Sequence, residues 1–104
     1  MLRITPVART PGAEVLEVEG WLTGEATMVL AEAGVRARQR GSRLVLELAG
    51  LRWIDDGGLA LLESWAGPRL QLRHPSLLIA QVLTRRGLSF DEGAGGTEPE
   101  SGTA

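Results

Sequence analysis

The sequence predicts a single α/β domain, a mixed sheet of about four strands with helices packed on it, and three observations carry that prediction. Hydrophobic periodicity switches between strand-like and helix-like runs in the order β-β-α-β-α-β-α. The length, 104 residues, supports one core. The hydrophobic share, 43%, is enough to fill it.

The opening "LRITPVA" places Leu2, Ile4 and, past Pro6, Val7 in an alternating run. Proline cannot donate to a ladder, so this reads as an edge strand. "VLEVEGW" puts Val15, Glu17 and Glu19 on one face and Leu16 and Val18 on the other. The Pro11-Gly12 turn joins the two as an antiparallel pair. From Gly24 the period changes. Ala26, Val29, Leu30, Ala33 and Ala37 form one helical stripe, with Glu25 at its start, Arg36, Arg38 and Arg40 near its end and Gly41 as its stop.

"RLVLELAGL" is the strongest strand, apolar enough at Leu44, Val45, Leu46 and Leu48 to be central and covered on both faces. "GLALLESWAG" then gives Leu59, Leu62 and Ala66 on one helical face, with Leu61 and Trp65 beside it and Gly67-Pro68 as terminator. "RLQLR" alternates as a last strand. Pro75 leads a final helix in which Leu78, Val82 and the stem of Arg85 align, and Gly87-Leu88 reads as a Schellman ending. The alternation implies right-handed crossovers between parallel strands. Residues 1–90 therefore form the domain. Residues 91–104, acidic, rich in glycine and without a large apolar side chain, read as disordered.

Composition excludes several function classes. All eleven basic residues are arginine, which removes Walker-type, Schiff-base and general-base lysines. There is no cysteine and only one histidine, so neither a thiolate nor a multi-histidine metal site is available, and no cofactor is expected. The formal net charge of −2 gives no argument for nucleic acid. No apolar run reaches the ~18–20 residues of a membrane span, and "MLRITPVART" lacks a secretory h-region, so the expectation is a soluble cytoplasmic protein without direct membrane insertion.

The stretch that asks for a function is "LRWIDDGGLALL", residues 51–62. Here the chain leaves the carboxyl end of the central strand and enters a helix, the place where open α/β sheets dock ligands and partners. Asp55 or Asp56 can cap the helix and meet the positive end of its dipole. Gly57 and Gly58 disfavour helix by ~1 kcal/mol each relative to alanine, which points to a tight turn or a close approach by other groups. The plainest reading is a capped helix start. A Mg²⁺ or phosphoryl-acceptor pair would need a third acid and a lysine, and the chain has no lysine. Gly-Gly alone is no phosphate loop. A protein-recognition loop remains.

"LTGEAT", "LVLELAGLRWIDDGGLALL" and "LTRRGL", in this element order, resemble the STAS domain of bacterial anti-sigma-factor antagonists and sulfate-transporter tails, over roughly residues 2–90. Family members commonly carry Asp-Ser-Ser-Gly-Leu, or Thr for the first Ser, at the junction. Asp55 then stands at the family Asp, Asp56 at the phosphorylated Ser, Gly57 at the second Ser, and Gly58 and Leu59 at the Gly-Leu.

The resemblance implies a non-catalytic partner-switching protein. Its partner would be an anti-sigma factor that is itself a serine kinase of the histidine-kinase-like ATPase fold, or a related regulator. Phosphorylation adds about −1.5 to −2 charges to a surface meant to be buried and so breaks such a complex. Asp56 has no hydroxyl to phosphorylate, so the usual switch is lost and a fixed negative charge takes its place. The recognition face implied comprises Trp21, Thr23, Gly24 and Glu25 from the "LTGE" side with Asp55, Asp56, Gly57, Gly58 and Leu59. The alternative the family offers is an accessory subunit that binds the ATPase of an ABC-type lipid transport complex. Homodimerisation stays open. Trp21 reads equally as an exposed anchor or a core filler, Trp53 reads as core, Trp65 as packing the short helix on the sheet, and His74 as a loop or N-cap residue.

Overall fold

The structure is a computed structural model that describes residues 1–91. Its elements are β1 (Leu2–Thr10), β2 (Ala13–Leu22), α1 (Ala26–Gln39), β3 (Arg43–Glu47), β4 (Leu51–Ile54), α2 (Asp56–Trp65), β5 (Leu70–Arg73) and α3 (Leu77–Arg85). The mixed α/β architecture matches the expectation, with one added strand.

β1 and β2 are antiparallel, and β1 is an edge strand with a bulge at Val7, beside Pro6. Gly12 at φ 90° gives their Pro-Gly turn the left-handed residue it needs. β2 then pairs parallel with β3 over Ala13–Glu17 and with β4 over Gly20–Leu22, and β3 pairs parallel with β5. The central strand was expected to run directly into the junction. Instead it breaks after Glu47, where the Leu51 amide donates to the Leu48 carbonyl, and resumes as β4.

One core holds the domain. Leu16, Val18, Leu22, Leu44, Leu46, Leu48 and Leu72 from the strands meet Leu30 and Ala37 of α1, Leu59 and Leu62 of α2, and Ile79 and Leu83 of α3. All three helices therefore lie on one face of the sheet. β3 is central and buried towards both faces, as expected: Leu44, Leu46 and the following Leu48 enter that core, and Val45 is buried on the opposite face even though Arg3, Glu17, Trp21 and Trp53 of neighbouring strands are exposed there. A strand flanked by strands on both sides can be apolar without helices over both faces.

Two helical stripes are also rotated from expectation. In α1 the buried positions are Leu30, Gly34 and Ala37, while Val29 is 54% exposed. The cause is at Gly34. A side chain there would collide with the Trp65 ring, so Trp65 packs α2 against α1 as well as against the core under the sheet. In α3 Ile79 and Leu83 are buried with Val82 partly so, and Leu78 points outward. The Schellman ending is as expected: Leu88 donates to the Leu83 carbonyl, Gly87 to that of Thr84, and Leu88 is buried. Asp91 continues the folded body, since its amide donates to Leu72 and its carbonyl accepts from His74. The rest of the segment expected to be disordered, residues 92–104, lies outside the described residues.

One buried carboxylate faces the helices. Glu14, 5% exposed, receives a forked pair of hydrogen bonds from Arg40 at 2.5 and 2.7 Å. The Arg40 guanidinium holds the Glu14 carboxyl below its ordinary value, against desolvation that would raise it. The contribution to stability is therefore complete above the ordinary carboxylate range and is lost as pH falls through the lowered value. Glu14→Gln keeps the shape and removes the charge. It should lower the melting temperature by roughly 4–8 °C at neutral pH, an effect of about 1 kcal/mol, and flatten the acid limb of a stability–pH curve.

Candidate functional site

The junction is built by one carboxylate. Asp55 is the N-cap of α2, in extended backbone conformation, and its Oδ1 accepts from the Gly58 amide at 2.9 Å. Oδ2 accepts from the Gly24 amide at 3.0 Å, thirty-one residues earlier. The Asp55 amide in turn donates to the Leu22 carbonyl at 3.2 Å. The start of α2 and the loop from β2 to α1 are thus tied into one surface. Hydrogen bonds from Gly58 and then Gly24 hold the Asp55 carboxyl below its ordinary value.

Gly58 answers the question raised by the paired glycines. A Cβ there would stand 2.8 Å from the Leu22 carbonyl oxygen and 2.8 Å from Ile54 Cγ1. The residue is required by close approach, as helix α2 starts directly over the ends of β2 and β4. Gly57 is different. It is exposed, and its nearest neighbour to an added Cβ is the Asp55 carboxylate at an ordinary 3.5 Å.

Asp56 faces outward. Its side chain is 99% exposed and makes a single 3.4 Å contact with Arg86, whose fork is taken by Glu63 at 2.9 and 3.0 Å. The capping role falls to Asp55 alone.

The expected recognition face is therefore brought together only in part. Trp21, Gly24, Glu25, Asp56 and Gly57 are exposed at the carboxyl end of the sheet, and Thr23 and Asp55 are partly exposed beside them. Gly58 and Leu59, expected on the same face, are buried. Leu59 belongs to the core because α2 needs an inward anchor one turn from its start.

Trp53 is a second correction. It is 42% exposed and is the register partner of Trp21, itself 52% exposed, so two indoles stand side by side on the helix-free face. Strict alternation from buried Leu51 would place Trp53 inside. An extra residue at Arg52, opposite the Gly20–Trp21 step, turns Trp53 outward and Ile54 inward. Arg86 was also missed. Its one signal was its position just before Gly87, where a helix-terminal arginine complements the dipole. His74 is a loop residue in left-handed conformation, φ 57°, with Nδ1 2.6 Å from Glu47 Oε1, and Ser76 is the N-cap that follows. Among the described residues no three acidic or histidine side chains gather as metal ligands, and no helix is long and apolar enough to cross a membrane.

Comparison with known proteins bears on the fold and the family. No curated protein matches the chain. The solved structure described as "Structure of the Anti-Sigma Factor Antagonist SpoIIAA in its Unphosphorylated Form" superposes with a TM-score of 0.59 over 86% of each chain at 19% identity, a likeness of fold. The family profile described as "Mlab, STAS domain" matches residues 6–89, most of the chain, and the protein belongs to the STAS domain family.

Proposed function

We propose that the protein is a non-catalytic regulatory module that binds another protein through the carboxyl end of its sheet, with Asp56 standing as a fixed charge where relatives carry a phosphorylatable serine. The observation that carries this is the exposure of Asp56 at the tip of a rigid junction: a carboxylate held out by a capped helix, with exposed Trp21 and Glu25 across the same end. A partner surface bearing arginine fits it, because a guanidinium recognises a carboxylate through charge-assisted hydrogen bonds. Arg86 does not compete strongly, since Glu63 already holds its fork. The partner class is an anti-sigma factor of the kinase-like ATPase type or a related regulator.

The permanence of the charge supports a second reading. A carboxylate cannot be removed as a phosphate can, so the contact it makes is constitutive, which suits an accessory subunit of an ABC-type lipid transport complex. Affinity purification from the native host with wild type and Asp56→Asn, read by mass spectrometry, separates the two: a regulatory kinase supports the first and a transport ATPase the second. The variant should lose about tenfold or more in affinity for whichever partner is recovered. A partner recovered and bound equally by Asp56→Asn would refute the role of the junction. Incubation of the wild type with ATP and that partner should leave the peptide spanning Ile54–Leu59 without phosphate.

A further inference from the structure

The helix layer covers the sheet unevenly. α1 packs over β2 and β3, and Pro6, Val7 and Ala8 of β1 are left exposed. Between β1 and α1 lies a trough of about 650 Å³. That is within the ~300–1,000 Å³ typical of small-molecule sites. Only its arginine-bearing end lies at the far end of the sheet from Asp56; the other end reaches towards the start of α1.

Its walls are sorted by chemistry along their length. β1 and α1 both run back against β2, so Ile4 lies towards the start of α1 and Arg9 towards its end. The first half is mainly apolar, with Ile4, Leu16, Val29 and Ala33 beside one carboxylate, Glu32. The second half carries Arg9, Arg36 and Arg40. Val29, Ala33, Arg36 and Arg40 succeed one another along one side of the helix over about 16 Å, at ~1.5 Å per residue. Val29 is half-exposed and stands outside the core.

The charges favour an anion at the arginine end. Glu14 is taken by Arg40 and approached by Arg9 at 3.8 Å, whereas Arg36 enters no ion pair among the described residues. Arg38, Arg43 and Arg69 are exposed at the same end of the sheet and add to a positive field. Glu32, also lining the trough, opposes it.

We propose that this trough binds one single-chain anionic amphiphile, its acyl chain along Ile4, Leu16, Val29 and Ala33 and its carboxylate or phosphate held by Arg36 beside Arg9 and Arg40. The site is independent of the protein-recognition end, so failure of either reading leaves the other standing.

Isothermal titration of the full chain with dodecanoate, dodecyl phosphate, dodecanol and inorganic phosphate, below micelle concentrations, tests it. The two anionic amphiphiles should bind saturably, one per chain, with dodecanol about tenfold or more weaker and phosphate alone unbound. Arg36→Gln should weaken dodecanoate about tenfold, Glu32→Gln should tighten it, and Val29→Asp should abolish it. All three positions are exposed, so unchanged circular dichroism should accompany these changes. Absence of saturable binding, or dodecanol binding as tightly as dodecanoate, would overturn the proposal. So would affinities that ignore Arg36→Gln and Val29→Asp. Sedimentation with phosphatidylglycerol vesicles distinguishes the source of the head group. A chain that takes free dodecanoate and leaves the vesicles in solution supports the enclosed site, and one that binds vesicles but no free amphiphile contacts a bilayer surface and overturns it.

Discussion

Gly58→Ala should lower the melting temperature by roughly 8–16 °C, while Gly57→Ala, one residue away in the same helix turn, should leave it unchanged or raise it. The two share a propensity term: alanine is the better helix former, and it narrows the unfolded ensemble by ~0.4–1 kcal/mol at a compatible site. They differ in space. At 57 the new methyl meets only the Asp55 carboxylate at 3.5 Å. At 58 it meets the Leu22 carbonyl and Ile54 at 2.8 Å and Leu22 Cγ at 3.0 Å. Ile54 has a second rotamer to try, but the Leu22 carbonyl is backbone and already accepts from the Asp55 amide. Relief therefore requires α2 to lift from the strand ends. Overpacking of this kind costs ~1–3 kcal/mol, and about 2 kcal/mol net corresponds to the shift given. Thermal melts of the two variants side by side check it, and equal shifts would mean that the close approach is not what requires glycine.

That contrast marks where sequence stops being legible. Gly-Gly before an apolar run announces a turn or a tight contact, yet nothing in the chain says which glycine is needed, because the group that decides is the carbonyl of Leu22, thirty-six residues earlier. Local chemistry was readable throughout: the Pro11-Gly12 turn, the edge strand with Pro6, the acidic cap at the start of α2 and the Schellman ending at Gly87 each depend on neighbours within a few residues. Errors arose where the answer depended on a distant element. The α1 stripe was misread because Trp65 of another helix fills the place over Gly34, and the α3 stripe was read one residue out. Trp53 was misplaced because one bulged residue, Arg52, reverses the inside-outside alternation of a four-residue strand. At the junction, the exposure of Trp21, Gly24, Glu25, Asp56 and Gly57 followed from their flanking loops. Gly58 and Leu59 did not, since the inward turn of α2 is set by packing on β2 and β4.

Asp55→Ala should reduce both stability and partner affinity, by about 5–10 °C in melting temperature and about tenfold or more in binding. The reasoning separates two bonds made by one side chain. Loss of the contact to the Gly58 amide leaves a helix-start donor without its cap. Loss of the contact to the Gly24 amide frees the loop that carries Thr23, Gly24 and Glu25 from the helix that carries Asp56. A partner that reads both must then order them itself, which weakens binding without touching any residue at the contact. Asp55→Asn tests the division, because its amide oxygen can still accept one of the two bonds but not both as a carboxylate does. It should restore much of the melting temperature and little of the affinity. The same geometry sets a pH dependence. Both bonds favour the ionised form, so the folded-state value lies below the unfolded one; their stabilisation is complete above the ordinary aspartate range and disappears as pH falls through the lowered value. Wild type should therefore lose stability in acid more steeply than Asp55→Ala does, the two curves converging at the lowest pH. Parallel curves would show that the Asp55 charge does not hold the junction together, and an alanine variant that binds its partner normally would show that the two loops need not be joined.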